Sequence, residues 1–267
     1  MTKYLSLFKI RFLTGLQYRA AALAGLATQF AWGGFYILFY KALNEANPAA
    51  LPMEMGQLAS YVWLNQAFIM MYATWFWDKE IADAISSGSV AYELTRPTDV
   101  YAMWFFKDMG NRTSRAMLRA WPILLFAVLL PAPYGFSAPD DWRIVPAFLI
   151  SMLLAFVITV SFSMLMYVST FYTVSPLGVR VFLTAASEFL AGQLIPLPFF
   201  PQAWQKAVAL LPFASMNNAP FRIYSGHIAG RELWLTLALQ CFWAVAMIAL
   251  GRAMMGRATR KLIIQGG

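Results

Sequence analysis

The run DKEIADAISSGSVAYELTRPTDVYAMWFFKDMGNRTSRAMLR, residues 78–119, is the one long polar interruption between strongly apolar segments, and it carries much of the chain's charge. It opens on Asp78-Lys79-Glu80, directly after Trp75-Phe76-Trp77. Ile81, Ala84 and Ile85 recur at helical spacing, which predicts a short amphipathic helix. Ser86-Ser87-Gly88 ends it, because glycine takes the left-handed conformation just past a helix end at no steric cost. Val90 to Leu94 is expected to be extended, and Pro97 keeps Arg96 out of a helix. A second amphipathic piece is expected from Val100 to Gly110, with Trp104, Phe105 and Phe106 beside Lys107 and Asp108. Arg112, Arg115 and Arg119 then lead into the next apolar segment. The whole reads as a structured loop whose helices lie along a membrane surface, shaped to be gripped.

Composition says where the rest lives. Of 267 residues, 60% are hydrophobic and 12% charged, with mean hydropathy +0.58. A soluble domain is roughly 45–50% apolar and about 25% charged, so most of this chain is expected in lipid. At about 20 residues per crossing there is room for about six spans in a single membrane domain, residues 1–267. The net charge of +8 would hint at nucleic acid in a soluble protein. Here the cations flank apolar segments, so they read as topology signals and contacts to anionic lipid, with no nucleic-acid partner. The N-terminus lacks a clean apolar core with a cleavage site, so no cleaved signal peptide is expected.

Residues 3–18 place Leu5, Phe8, Phe12 and Leu16 on one helical face, with Lys3, Ser6, Thr14 and Gln17 opposite. This reads as an interfacial helix, or as the start of a longer, tilted first span. Spans are expected at about Ala20–Tyr40, Leu58–Trp77, Ala116–Leu130, Ile144–Tyr172, Arg180–Leu194 and Leu233–Met255. Ala21 and Gly25 permit close helix contact in the first span, and Gly33-Gly34 is expected to loosen its outer half. Arg115 and Arg119 are expected to snorkel to the headgroups. Residues 131–141 form an outside turn and 173–179 an inside one. Residues 195–226 are apolar but studded with Pro196, Pro198, Pro201, Pro212 and Pro220. They read as re-entrant outer half-helices, including one at Trp204–Leu211, since broken backbone at membrane depth survives when buried in protein or lining water. An inside N-terminus puts 15 of the 20 lysines and arginines on the cytoplasmic side, in keeping with the positive-inside rule. The fold class is therefore an all-α polytopic membrane protein, multi-pass, with both termini cytoplasmic.

Absences narrow the chemistry. There is no phosphate loop of the form G-x-x-x-x-G-K-[ST], one histidine (His227), one cysteine (Cys241) and no G-x-S-x-G elbow. ATP binding by that loop, a two-histidine zinc helix and a C-x-x-C metal site are excluded, so no cofactor or metal is expected on this chain and no enzymatic activity is expected of it. Glu188 stands out inside an apolar span, where a carboxylate is costly. It reads as a contact for a cationic substrate or gate, or as a protonated or paired structural residue. Gln29, Asn65, Gln66 and Gln193 read as lining the same polar path, or as helix-to-helix hydrogen bonds. Aromatic residues including Trp32, Tyr36 and Trp75 read mostly as interface belts and packing.

With the entry helix, six spans, a proline-rich outer hairpin and a basic tail ending in Gly266-Gly267 in view, the chain resembles the permease subunit of bacterial type-2 ABC exporters, in the subfamily whose permeases are often encoded in pairs beside one ATPase. The most specific element is G-x-x-x-Y-x-L-x-R-P, matched by Gly88, Tyr92, Leu94, Arg96 and Pro97. The resemblance implies that residues 78–112 form a coupling loop docked on separate nucleotide-binding ATPase subunits, two copies, which would hold the ATP and Mg. It implies a second permease, identical or homologous, across a pathway lined by the first, second and fifth spans. Ile81 and Ile85 would then supply apolar grip on the ATPase, and Asp83, Glu93 and Arg96 the rim charge. The implied site is the bacterial inner membrane. A stand-alone secondary transporter or channel is the competing reading, and it would need coupling acids in several spans. An aromatic path with one acid favours a compact hydrophobic or cationic drug-like substrate over a polyanionic glycan.

Overall fold

A computed structural model of the protein describes residues 2–139, 141–173, 176–193 and 195–260. Lys261 and Gly266-Gly267 of the expected tail, Leu194, Asp140, and Val174 and Ser175 of the inside turn lie outside the described residues. The described chain is all-helical, and its elements follow the apolar segments. The first are α1 (Thr2–Gly15), α2 (Arg19–Ala46), α3 (Met55–Tyr72), α4 (Lys79–Ser86), α5 (Val90–Leu94) and α6 (Val100–Leu129). Then come α7 (Ile144–Ser169), α8 (Pro176–Leu190), α9 (Gln202–Ala209), α10 (Pro212–Met216), α11 (Asn218–Tyr224) and α12 (Gly230–Arg260). The protein is an all-α polytopic membrane protein. Among the described residues, Ile144–Tyr172 and Gly230–Arg260 are each both long and apolar enough to cross a bilayer.

α7 is apolar around its whole circumference, and it sits in the middle, packed on α12, α11, α10 and α6. A helix without a polar face belongs in a core or in lipid, and α7 has both surroundings, with Leu149, Ile150 and Leu153 exposed on its free side. Phe156, Val160, Met164 and Tyr167 are fully or nearly fully buried. The periphery shows the converse pattern. Trp32, Phe35 and Leu38 of α2, Trp121 and Leu129 of α6, Phe182 of α8 and Trp234 and Val245 of α12 are exposed, as a surface facing hydrocarbon requires.

α1 lies against the first half of α6. Gly110 allows this, since a Cβ there would come within 2.7 Å of the Phe8 carbonyl oxygen. The face turned inward is Tyr4, Leu7, Phe8, Arg11 and Phe12, while Leu5, Ile10 and Leu13 remain outward. Of the four residues that spacing puts on one apolar face, Phe8, Phe12 and Leu16 are half-buried and Leu5 is exposed. α1 is separated from α2 by a turn at residues 16–18, so it is not the start of a longer first span.

Several boundaries differ from the expected ones. Val90 to Leu94 is helical rather than extended. Gly88, at φ +74°, reverses the chain after α4, and one helical turn then carries Val90 fully inward. The expected Val100–Gly110 piece and the third span are one helix, α6. Asp108 and Arg112, read as marks of a polar loop, pair inside that helix at 2.7 Å, and the helix runs on through them. The expected second span stops at Tyr72, and Trp75-Phe76-Trp77 lies in a non-helical link. Gly33 does not loosen α2; it seats the ring of Trp63, which a Cβ would approach to 2.6 Å. α8 begins at Pro176, earlier than expected. The proline-rich region forms the short helices α9, α10 and α11, with α9 covering residues 202–209 where 204–211 was expected.

Candidate functional site

Two features are built at different heights of the bundle. The first is a shelf made of α4 and α5. Asp78 caps α4 through its side chain, accepting the Glu80 N–H at 3.0 Å, and Asp99 caps α6 by accepting the Ala102 N–H at 2.8 Å. The inner face of the shelf is saturated. Ile81 is 1% exposed and Val90 is fully buried, each burial stabilising by about 1.5–3 kcal/mol. Lys107 reaches Glu80 at 3.0 Å and Glu93 at 3.7 Å, and Trp104 Nε1 donates to Glu93 at 2.6 Å. Arg11 of α1 also pairs with Glu80. Lys3 donates to the Pro97 carbonyl at 2.8 Å, and the Asp99 N–H donates to the Tyr4 hydroxyl at 3.1 Å. Burial pushes the Glu80 carboxyl up, but the hydrogen bonds and charges of Arg11 and Lys107 outweigh it and hold the group below its ordinary value.

The outer face of the shelf is bare. Asp83, Gly88, Tyr92, Leu94, Arg96 and Pro97 are all exposed, Tyr92 by 77%. The structure thus divides the nine residues of the expected coupling surface. These six face outward, Ile85 is half-buried against the core, and Ile81 and Glu93 are turned inward. An apolar grip by Ile81 on another protein, and rim charge from Glu93, are not available on this surface.

Beneath the shelf, the broken end of α3 must place its last carbonyls. Arg112 takes them. Its Nη1 donates to the Ala73 carbonyl at 2.6 Å, Nη2 to Ser163 Oγ at 2.8 Å, and Nε to Asp108. Both members of the pair are fully buried. Gln193 Nε2 adds a bond to the Tyr72 carbonyl at 3.2 Å, and Arg180 one to the Trp75 carbonyl at 3.3 Å. A helix end left inside a membrane protein requires such partners.

The second feature is a cavity of ≈ 340 Å³ between α2, α3 and α8. Gln29, Asn65, Gln66, Glu188 and Gln193, the five residues read as one polar path, all line it. Trp32, Tyr36 and Trp75 supply aromatic walls. Asn65 is partly committed, accepting from Asn217 Nδ2 at 3.2 Å. Gln29 is different: it is 5% exposed, and neither atom of its amide has a hydrogen-bond partner among the described residues. An unmet buried amide costs about 1–3 kcal/mol. Arg119 also lines the cavity. Its guanidinium fills the space beside Gly25, where a Cβ would collide with it. Arg119 was expected at the headgroups, and Gly25 at a helix-to-helix contact. The signal that tied them was a small residue on one span and a long cation one turn after Arg115 on another.

A family model described as ABC-2 family transporter protein matches residues 50–266 of the chain. No curated protein matches it.

Proposed function

The chain belongs to the ABC-2 transporter family, and on that premise we propose that it forms the translocation pathway of an ATP-driven exporter. In this reading it crosses the bacterial inner membrane about six times, with the shelf and both termini cytoplasmic. Two copies of a separate ATPase, holding ATP and Mg, dock on the outer face of the shelf through Tyr92, Leu94, Arg96 and Asp83. A second permease, identical or homologous, faces the exposed sides of α2 and α8 and completes the pathway. ATP-driven closure of the ATPases moves the shelf and switches the cavity between inward and outward access. The single domain comprises residues 1–267, with 3–18 interfacial, 78–112 the coupling loop and 195–226 the outer re-entrant hairpin.

The observation that carries this reading is that one helix, α6, clamps the shelf through Trp104 and Lys107 and lends Arg119 to the cavity. Motion imposed on the shelf therefore reaches the cavity through a continuous backbone. The substrate is a compact amphipathic compound, apolar over most of its surface. A polar group on it meets Gln29, and a cationic centre meets Glu188. Arg119 in the same cavity disfavours compounds with several positive charges.

The test is co-purification followed by transport. A tagged chain is expected to retain an ATPase at stoichiometric level, and Tyr92→Ala with Arg96→Ala to lose it. In inverted vesicles, ATP-driven uptake of an organic cation is expected only when the ATPase is present. Gln29→Leu is expected to weaken that uptake about five-fold, the worth of one buried hydrogen bond. Transport by the purified chain with no ATPase attached overturns the proposal.

A further inference from the structure

A second cavity, of ≈ 390 Å³, opens where α1 turns into α2, against α6 and the link after α3. Arg11, Lys79, Arg115 and Arg119 line it, with Asp78 as the single acid among the lining residues. That acid is already engaged. Asn111 Nδ2 donates to its Oδ2 at 2.7 Å, and the Glu80 N–H to its Oδ1 at 3.0 Å. Arg11 is committed to Glu80. Lys79 and Arg115 form no ion pair with any described residue. Arg115 is exposed, held in place by the Phe76 ring 4.3 Å beneath its guanidinium. The back wall is tight: Gly15 abuts Ser114 so closely that a Cβ would collide with it.

The surface around this cleft changes character. On the shelf side lie the exposed polar residues Lys79 and Glu80. Beyond Arg115 along α6, Met117, Trp121 and Leu125 are exposed and apolar, and Tyr18 at the cleft's edge is 68% exposed. A tyrosine and snorkelling cations at such a boundary mark the headgroup level of a bilayer.

We propose that this cleft binds the phosphate of an anionic lipid headgroup, with Arg115 and Lys79 as its principal contacts. A guanidinium presents a planar fork matched to phosphate oxygens, and basic pockets between membrane helices take such headgroups. Free phosphate shares that chemistry. The exposed apolar run of α6 beside the cleft gives acyl chains a surface that free phosphate does not use, and this favours the lipid. The site depends neither on an ATPase nor on which way the chain faces. Because Arg119 lines both this cleft and the larger pathway cavity, an occupied headgroup site lies one side chain away from the transported compound.

The full chain, purified in detergent, is mixed with phosphatidylcholine containing a fixed share of phosphatidylglycerol, and retained lipid is counted by native mass spectrometry. The wild type is expected to retain phosphatidylglycerol selectively. Lys79→Gln and Arg115→Gln are each expected to lower that retention about five-fold, the contribution of one cation near a membrane surface. Arg115→Lys is expected to fall between the wild type and Arg115→Gln, since the charge is kept and the planar fork is lost. Lys206→Gln, at the far end of the molecule, is expected to change nothing. Inorganic phosphate in a second arm is expected neither to bind measurably nor to displace the lipid. If Arg115→Gln does not fold, Lys79→Gln alone decides, because its side chain is exposed and unpaired. Unchanged retention in Lys79→Gln overturns the proposal. So does an equal loss in Lys206→Gln. Binding of inorganic phosphate that displaces all retained lipid overturns the lipid as the ligand.

Discussion

At the end that carries α4 and α5, irregular backbone is held by charge. Lys107 spans Glu80 and Glu93, Arg11 meets Glu80, and Arg112 gathers the end of α3. At the opposite end, from residue 196 to α11, it is held mainly by neutral side chains, with one long ion pair, Arg222–Glu232 at 3.8 Å, at the edge. Gln205 donates to the Pro198 and Phe200 carbonyls at 2.9 and 2.6 Å. Gln240 joins Ser151 and Ser215, and Trp243 donates to the Leu210 carbonyl. The two ends spend different interactions on one problem, the unmet backbone of short helices. The clamps on Glu80, itself half-exposed, meet water, where the cost of desolvating them is partial, whereas the fully buried Arg112–Asp108 pair bears that cost in full and leans on the Ala73 carbonyl and Ser163 as further partners. Neutral amides suit a region enclosed by apolar helices, where an ion pair must recover its full desolvation cost.

That contrast can be broken most severely at Arg112. Arg112→Met strips the counter-ion from buried Asp108 and is expected to cost about 3–5 kcal/mol, read as a large fall in the thermal midpoint in detergent. Adding Asp108→Asn to the same chain is expected to recover more than half, because the stranded charge is then gone. A loss below about 1 kcal/mol for the single variant would mean that charge does not hold this end.

A smaller effect is expected at the neutral end. Gln240→Leu removes three hydrogen bonds shared with Ser151 and the Ser215 carbonyl. Bonds of this kind between membrane helices contribute about 1 kcal/mol. Amide exchange is expected to quicken over residues 212–224 while residues 79–97 keep their wild-type rates. Equal quickening at both ends would erase the distinction.

The smallest expected effect is with pH. The Glu80 carboxyl is held below its ordinary value of 4.5 in the folded chain. Its contribution is therefore complete above that value and is lost as pH falls through the lower, folded one. Exchange over residues 79–97, taken relative to the intrinsic amide rate at each pH, is expected to stay flat from neutral pH down to about 4.5 and to rise below it. Glu80→Gln is expected to remove that rise and to leave residues 196–224 unaffected.

Much of this arrangement was legible because its signals are local. Gly88 divides the shelf into its two helices and Pro97 follows its end, and the proline spacing marks the short helices before α12. Gln29, Asn65, Gln66, Glu188 and Gln193 stand out as polar residues within apolar runs, and they meet in one cavity. What was not legible turns on partners distant in sequence. Asp108 and Arg112 read as exposed because each is charged, yet they neutralise each other inside α6. Ile81 and Glu93 read as surface because the loop around them is polar, yet Trp104 and Lys107 draw that side inward. Arg119 read as snorkelling because it sits near a span's end, and only the folded position of Gly25 turns it toward the cavity.

The unbroken course of α6 has a mechanical consequence. Thirty residues of α-helix make a rod of about 45 Å, so a tilt of about 5° at one tip sweeps the other through about 4 Å. Pro122 lies well past the midpoint of that rod and lacks the N–H that would tie it one turn back. Any pivoting stroke delivered from the Val100 tip passes stiffly as far as Arg119 and meets its first compliant joint just beyond.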